Sequence, residues 1–275
     1  MKTILTLLLI GAGYGVALAQ KEANIWYFGQ NAGLDFNTNC QPTALQNSNM
    51  GADYGSAAMS DGKTGQLLFY TDGYQVFNRE HKVMPNGRFT AYAGDSPLTQ
   101  GSLFVPAPGN PSQFYFFRLV ETNRANTGPA NYGRLNYSLI DMRLDGGRGD
   151  VVPMSKDSAL VEGLAGRLTA VRHANGQNYW VLTHQWNSNA FLVYPVTGAG
   201  VGGADTIRIG SEYEGQAVLG FLKASPDGRH LAASSNTSVA YPFDLFDFDA
   251  STGKLSNYIN LGNVRYQYGV FLLTR

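Results

Sequence analysis

Cysteine is almost missing from this sequence, since Cys40 is the only one in 275 residues. An intrachain disulfide is therefore excluded, and the fold must be held together by its apolar core. The lone thiol could be reactive or could join two chains, but a partly buried, apolar role suits it equally well.

Charged side chains are also scarce, at 15% of the residues, and they balance at 20 basic and 20 acidic. No basic stripe is available for a phosphate backbone, so nucleic acid is excluded as a partner. Helical periodicity is almost absent. The chain instead contains 33 Gly, 16 Tyr and 15 Phe, and these residue types favour turns and strands. The composition is typical of a turn-rich, all-β protein.

Long apolar runs are missing everywhere except at the start of the chain. Residues 4–10 are almost entirely apolar, and Ala17-Leu18-Ala19 matches the small-x-small pattern of signal peptidase sites. An uncleaved membrane anchor is the alternative, but the run is short for about 30 Å of hydrocarbon. We therefore predict a signal peptide over residues 1–19 and a single domain over residues 20–275. This predicts export to the periplasm, outer surface or medium, with no membrane span after cleavage.

Four segments share one order: an apolar strand, a polar turn containing glycine, and a strand rich in aromatic or aliphatic residues. Asp-Gly and Asn-Gly in the turns predict two-residue hairpins. A further pair of strands follows each unit, most clearly at Phe243–Asp249, and residues 121–134 form a long insertion. Four strands in roughly 50 residues are typical of β-propeller blades. A β-sandwich with irregular hairpins is the alternative, but it would not need the same order four times. The segments are residues 55–73, 101–117, 168–183 and 220–233.

Several longer motifs resemble large secreted proteins of the Bacteroidetes that carry a gliding-motility-associated C-terminal sorting domain for type IX secretion. The motifs are Ile25–Asn37, Leu68–Gly73, Val76–Asn78, Val83–Gly87 and Tyr179–Asn189. The resemblance implies an N-terminal WD-repeat-like or lactonase-like propeller with seven blades and a cell-surface or extracellular destination. It implies no catalytic residues.

Compared with that family, the chain looks truncated. It is expected to contain about four to five four-stranded blades, an incomplete part of a seven-bladed ring. Arg265–Val270 resembles the start of a fifth unit, and Ile25–Phe28 is the natural strand to close the ring by pairing into the last blade. An open propeller edge would expose apolar surface and favour association with another chain.

Metal ligands are sparse in the sequence. His173 and His184 flank one predicted hairpin and could approach across it, but a zinc site needs three or four converging ligands. Asp244, Asp247 and Asp249 lie on an alternating strand, whereas calcium needs six to eight oxygens from a loop that wraps the ion. We therefore predict no metal and no cofactor. The three aspartates are expected to be solvated edge acids, with Asp244 on the opposite face from the other two.

Aromatic residues provide the most interesting candidate site. Most of them, including Trp26 and Trp180, are expected to pack between blades. Trp186 is the expected exception because it lies in a polar run predicted to be a strand end or loop, where its indole would suit a glycan or peptide. The candidate ligand-binding residues are His184, Trp186, Asn187 and Asn189.

The sequence thus favours a non-catalytic surface module for adhesion, which binds a protein or a glycan. The alternative is a propeller enzyme of lactonase or glycan-lyase type with a metal in the channel. An enzyme should bring three or more acidic, His or Asn side chains together in that channel.

Overall fold

The computed structural model of the protein describes residues 21–38, 41–53, 55–89, 96–122, 133–215, 219–267 and 269. The predicted signal peptide, Cys40 and most of the insertion at 121–134 lie outside the described residues. In the described part, no helix has the length and apolar character needed to cross a membrane. The regular elements are the strands β1 (Ile25–Phe28), β2 (Ala32–Asp35), β3 (Thr43–Leu45), β4 (Ala57–Ser60), β5 (Leu67–Thr71), β6 (Gln75–Asn78), β7 (Val83–Arg88), β8 (Ser96–Pro106), β9 (Gln113–Glu121), β10 (Gly133–Asp141), β11 (Asp150–Val151), β12 (Ser158–Glu162), β13 (Leu164–Arg172), β14 (Tyr179–Gln185), β15 (Ser188–Thr197), β16 (Gly200–Val201), β17 (Asp205–Tyr213), β18 (Gly220–Ala224), β19 (His230–Ser235), β20 (Tyr241–Asp249) and β21 (Lys254–Val264), with 3₁₀ turns at Asp145–Gly147 and Pro153–Ser155.

The strands form five antiparallel sheets that follow one another along the chain. Sheet 1 is β1-β2-β3, and sheet 2 is β4-β5-β6-β7. Sheet 3 is β8-β9-β10-β11, with β12 also paired to β10. Sheet 4 is β13-β14-β15-β16, with β17 also paired to β15, and sheet 5 is β18-β19-β20-β21. Because neighbouring strands in each sheet are also neighbours in sequence, each sheet is built around a meander.

The first strands of the five sheets lie together at the centre. β1 contacts β4, β4 contacts β8, β8 contacts β13, and β13 contacts β18. A bridge between Gly166 and Leu219 shows that β13 and β18 run parallel. Meanders that radiate from a set of central first strands are the architecture of a β-propeller. The prediction of an all-β propeller with about four to five blades is therefore confirmed.

Four apolar layers fill the spaces between successive sheets. Ile25 and Tyr27 of sheet 1 pack with Tyr70 and Phe77 of sheet 2. Sheets 2 and 3 share a layer that includes Phe69 and Phe116, which is rich in edge-to-face aromatic contacts. A third layer lies between sheets 3 and 4 and a fourth between sheets 4 and 5. Burial of this apolar surface is the main force that holds the sheets together.

Strand alternation explains how one sheet contributes to two layers. In β9, Phe116 points into the layer shared with sheet 2, and Phe117 points into the layer shared with sheet 4. In β1, Tyr27 points into the layer shared with sheet 2, whereas Trp26 and Phe28 point to the opposite face. No other sheet of the described residues packs on that face, so Trp26 remains 49% exposed and Phe28 42% exposed.

The predicted two-residue hairpins are wrong, because the turns are loops of five or six residues. In each loop an Asp or Asn side chain accepts a hydrogen bond from the backbone N–H two residues later. This local bond replaces the tight turn and holds a longer loop. The four residues that act in this way are Asp61, Asn110, Asn175 and Asp227.

Two expectations about the ends of the domain are also corrected. Ile25–Phe28 does not pair into the last sheet, because β1 pairs with β2 in a sheet of its own. Residues 265–267 form no strand, and the Tyr266 N–H instead donates to the Thr237 carbonyl. The fifth sheet of the described structure therefore comes from residues 25–45, and Tyr268 and Val270 lie outside the described residues.

Candidate functional site

The predicted binding residues lie at the turn between β14 and β15. Asn187 is exposed, with a φ angle of 50°, and its N–H donates to the Tyr213 carbonyl. Trp186 is half-buried, and its backbone N–H donates to the Gly163 carbonyl over 3.0 Å. Asn189 is also half-buried and is the second residue of β15. Ligand binding at Trp186, Asn187 and Asn189 stays a prediction.

His184 differs from these residues because it is completely buried. Its Nδ1 donates to the Gln185 carbonyl over 2.7 Å, and its ring meets Phe191 and Tyr213 edge to face. Burial, together with the nearby charge of Arg167, lowers the pKa of His184 to about 3. The ring therefore stays neutral in the folded protein and offers no surface to a ligand.

The expectation that His173 and His184 could approach each other is wrong. His173 lies before β14 and stacks on Trp180, with ring centroids 5.3 Å apart. His184 lies near the opposite end of the same strand. No group of three or more His, Cys, Asp or Glu side chains that could hold a metal is found among the described residues.

Asp244 was expected to be a solvated edge acid, and this is wrong. It is completely buried between sheets 4 and 5, where its carboxylate accepts hydrogen bonds from the hydroxyls of Ser211, Tyr213 and Tyr258. The buried guanidinium of Arg167 lies over the Tyr213 ring at 3.9 Å. Burial lowers the pKa of Arg167 to about 10, which still leaves it charged at neutral pH.

This group of Arg167, His184, Tyr213 and Asp244 contains residue types common in active sites. All four are fully enclosed, so a substrate could not reach them without separation of the two sheets. Their contacts instead satisfy several, though not all, of the polar atoms that the packing of sheets 4 and 5 has removed from water. We therefore assign the group to the junction of the two sheets.

An open cleft of about 460 Å³ lies at the centre of the molecule, between the first strands of sheets 1, 2, 3 and 5. We call it the inner cleft. Its volume is within the range of about 300–1,000 Å³ that is usual for small-ligand sites. The wall combines aromatic rings, two serines and one lysine. The lining residues on which the argument depends are Trp26, Phe28, Ser56, Ser102, Phe104 and Lys223.

The aromatic wall of the inner cleft is held in a fixed position. The Trp26 Nε1–H donates to the Ala23 carbonyl over 2.7 Å, which orients the indole. Phe36 packs against Trp26 with ring centroids 4.8 Å apart. Because the ring is already ordered, little conformational freedom is lost when a ligand stacks on it.

The opposite wall is fixed by one side chain, Gln100 of β8. Its Oε1 accepts from the Leu222 N–H at 2.7 Å, and its Nε2 donates to the Leu222 carbonyl at 2.9 Å. Leu222 is on β18, the innermost strand of sheet 5, and no described strand of that sheet pairs with its central edge. The Gln100 amide therefore takes the place of a neighbouring peptide group and holds Lys223 at the cleft.

A second groove, of about 590 Å³, lies between the loops of sheets 4 and 5. The two arginines that line this groove already donate hydrogen bonds to other groups of the protein. Arg229 donates to Asp227 over 2.8 Å, and Arg172 donates twice to the Gly176 carbonyl. Bonds from Ser225 and Arg229 hold the pKa of Asp227 well below its usual range. This groove is therefore a weaker candidate for a ligand site than the inner cleft.

No protein-family model matches the chain, and no curated protein matches it. Several solved structures, however, do match the chain. A candidate 6-phosphogluconolactonase of Bacteroides fragilis matches with a TM-score of 0.39 and 11% identity over 88% of this chain and 80% of the other. A candidate 6-phosphogluconolactonase of Bacteroides uniformis matches with a TM-score of 0.35 and 12% identity over 82% and 77%.

A third match is a candidate dipeptidyl aminopeptidase IV of Bacteroides ovatus, with a TM-score of 0.37 and 10% identity. It covers 86% of this chain but only 37% of the other. At identities of 10 to 12%, no side chain of a site can be transferred from these proteins. The propeller architecture therefore rests on the order and packing of the five sheets.

Sequence reasoning assigned Trp26 to the packing between blades, whereas the side chain is 49% exposed and lines the inner cleft. It missed Gln100, Ser102 and Lys223 altogether. The alternation of Ile25 to Phe28 was a usable signal, since it places Trp26 and Phe28 together on one face. No local pattern indicates that this face lies opposite Lys223, because that juxtaposition depends on how sheets 1 and 5 are placed around the centre.

Proposed function

We propose that the protein is an exported, non-catalytic binding module and that the inner cleft holds a glycan. The observation that carries the proposal is the exposed face of Trp26, beside Phe28, in a ligand-sized cleft that also presents hydroxyl groups. An aromatic ring buries the apolar C–H face of a sugar, while hydroxyl and amine groups bond its polar edge.

The exposure of Trp26 and Phe28 supports binding over a purely structural role. Two large aromatic side chains on one strand normally contribute to the core, as Phe116 and Phe117 do on β9. Contiguous exposed apolar surface rimmed by polar groups is instead a feature of interaction sites. The bond from the Trp26 indole to the Ala23 carbonyl holds the ring in this exposed position.

The chemistry of the cleft wall supports binding over catalysis. General acid–base chemistry on a glycan uses a pair of titratable groups on either side of the bond that breaks. Of the described residues that line the inner cleft, Lys223 alone carries a charged side chain. Tyr27 also lines it, but its hydroxyl donates to Asn47, and burial raises its pKa. The lactonase-like or lyase-like alternative has no comparable set of groups in this cleft.

The binding test compares the unmodified protein with Trp26→Ala on a glycan array, followed by calorimetry with the best glycan. Loss of the stacking ring should weaken binding at least tenfold, as expected for a buried tryptophan contact of about 2 kcal/mol or more. Because the Trp26 ring is half-exposed, the melting temperature should change little. Met154→Ala is the control, since Met154 is 95% exposed and lies in the 3₁₀ turn Pro153–Ser155, outside the cleft.

Unchanged glycan affinity in Trp26→Ala would contradict the proposal, as would the absence of any glycan ligand for the unmodified protein.

Export is the second part of the proposal and has its own test. The basic residue Lys2, the apolar run and Ala17-Leu18-Ala19 support cleavage after Ala19. Mass spectrometry of the exported protein should find Gln20 at the N-terminus, either free or cyclised. Recovery of an intact Met1 on membrane-embedded material would show that the segment is an anchor.

A further inference from the structure

Lys223 is placed at the inner cleft by the same strand that Gln100 holds. It is the fourth residue of β18, directly after Leu222. Alternation turns its side chain away from the buried face that Leu222 occupies, and Lys223 is exposed. The two bonds from Gln100 to the Leu222 backbone fix the position of this segment relative to β8.

The ammonium group of Lys223 is available to a ligand. It has no ion pair or hydrogen bond with any described residue, whereas three other lysines do have partners. Lys82 pairs with Glu80, Lys254 pairs with Asp205, and Lys156 donates to the Arg88 carbonyl. Among the described residues, no Asp or Glu lines the inner cleft. The cleft therefore has an unneutralised positive charge beside an apolar wall.

Ser102 provides a second unused polar group in the same wall. Its Oγ is buried and has no hydrogen-bond partner among the described residues. A buried hydroxyl without a partner is uncommon, and an ordered water normally satisfies such a group. Ser102 precedes Leu103 and Phe104 on β8, the strand that Gln100 joins to the Lys223 segment.

From these observations we propose that the glycan of the inner cleft is acidic, with a uronic-acid residue whose carboxylate pairs with Lys223. The inference rests on the proposed glycan-binding function and names the class of sugar. Trp26 supplies the stacking surface, and Lys223 supplies the charge that discriminates acidic from neutral sugars. A lysine acts here as a point charge with three donors, which suits a single carboxylate on a flexible ring substituent.

The test compares two ligands of the same shape by calorimetry: an oligogalacturonate and its fully methyl-esterified form. The unmodified protein should bind the acidic form about five- to tenfold more tightly, the gain expected from one charge-assisted hydrogen bond in a half-open site. Lys223→Gln removes the charge but keeps an amide donor, and it should bring the two affinities to near equality. The preference should also fall as salt concentration rises.

Lys254→Gln is the matched control, because Lys254 is an exposed lysine on β21 and does not line the inner cleft. This variant should keep the full preference for the acidic ligand. Trp26→Ala should weaken both ligands by the same factor, since stacking does not depend on the carboxylate.

The outcomes separate this inference from the proposed function. If both ligands bind equally well to the unmodified protein and Trp26→Ala weakens both, the inference is overturned and glycan binding stands. If Lys223→Gln keeps the preference for the acid, the assignment of Lys223 is overturned. If a sulfated galactan binds as tightly as the galacturonate, the site selects anions in general and the uronic-acid assignment fails. If none of these glycans binds, the uronic-acid inference is overturned, and the proposed function fails as well only if the glycan array yields no ligand.

Discussion

Replacement of Gln100 with alanine is the most informative single change in this protein. The side chain makes two hydrogen bonds to one residue, Leu222, across the centre of the molecule. The alanine variant removes both partners at once but leaves the backbone of β8 and β18 intact. The Leu222 side chain is fully buried, so its backbone groups lie at the border between the core and the inner cleft.

The magnitude follows from the two bonds. Each should contribute about 0.5–1.5 kcal/mol when water can replace the lost partner, and a buried group without any partner costs about 1–3 kcal/mol. Because the cleft side is open to water, we expect a total loss of about 1–3 kcal/mol in the free energy of unfolding. At about 2–4 °C for each kcal/mol in a domain of this size, the melting temperature should fall by about 2–12 °C.

Urea unfolding followed by circular dichroism measures this loss, with Gln75→Ala as the control. Gln75 accepts one bond, from Arg88 at the surface, so its removal should change the free energy of unfolding by less than about 0.5 kcal/mol. The glycan affinity of Gln100→Ala should also fall, since Lys223 loses its fixed position. A free energy of unfolding within about 0.5 kcal/mol of the unmodified protein would refute the role given to Gln100.

Three further predictions concern buried groups. The neutral His184 has a pKa lowered from 6.5 to about 3, so between these values the unfolded chain binds a proton that the folded chain does not. Stability should therefore fall as pH drops from 7 to 5, by about 2 kcal/mol from this group, and His184→Phe should remove that share of the pH dependence in urea titrations. Asp157→Ala leaves the buried Arg118 without its bidentate partner and should cost about 3 kcal/mol, which the added change Arg118→Met should largely restore. Trp186→Ala should cost about 2 kcal/mol because the Trp186 side chain is more deeply buried than that of Trp26, and a lower melting temperature with unchanged glycan affinity would remove Trp186 from the candidate binding residues.

The sequence predicts most strands of sheets 2 to 5, because their apolar runs are bounded by Gly, Asn and Asp. It does not predict sheet 1 as a separate unit. β1, β2 and β3 have only four, four and three residues, and the segment lacks the Asp-Gly or Asn-Gly turn that marks other units. Such short strands become recognisable as a sheet only when the next sheet covers Ile25 and Tyr27.

The candidate site was less predictable because burial depends on distant segments. Alternation correctly placed Asp244 on the opposite face from Asp247, but it could not indicate that sheet 4 covers that face. The same limit applies to Trp26 and Lys223, which are far apart in the chain but line one cleft. A hydrogen bond between residues that are 122 positions apart, such as the one between Gln100 and Leu222, produces no periodic pattern in the sequence.

That separation of 122 residues also bears on the order in which the protein assembles. Because closing a long loop has a high entropic cost, we expect β8 and β18 to come together late in folding, after sheet 4 has formed between them. We expect the amide of Leu222 to gain protection from hydrogen exchange after the amides of the sheet interiors. In the native state the same junction is expected to open locally, at a lower free energy than global unfolding. The inner cleft would then be the last part of the molecule to form and the first to loosen.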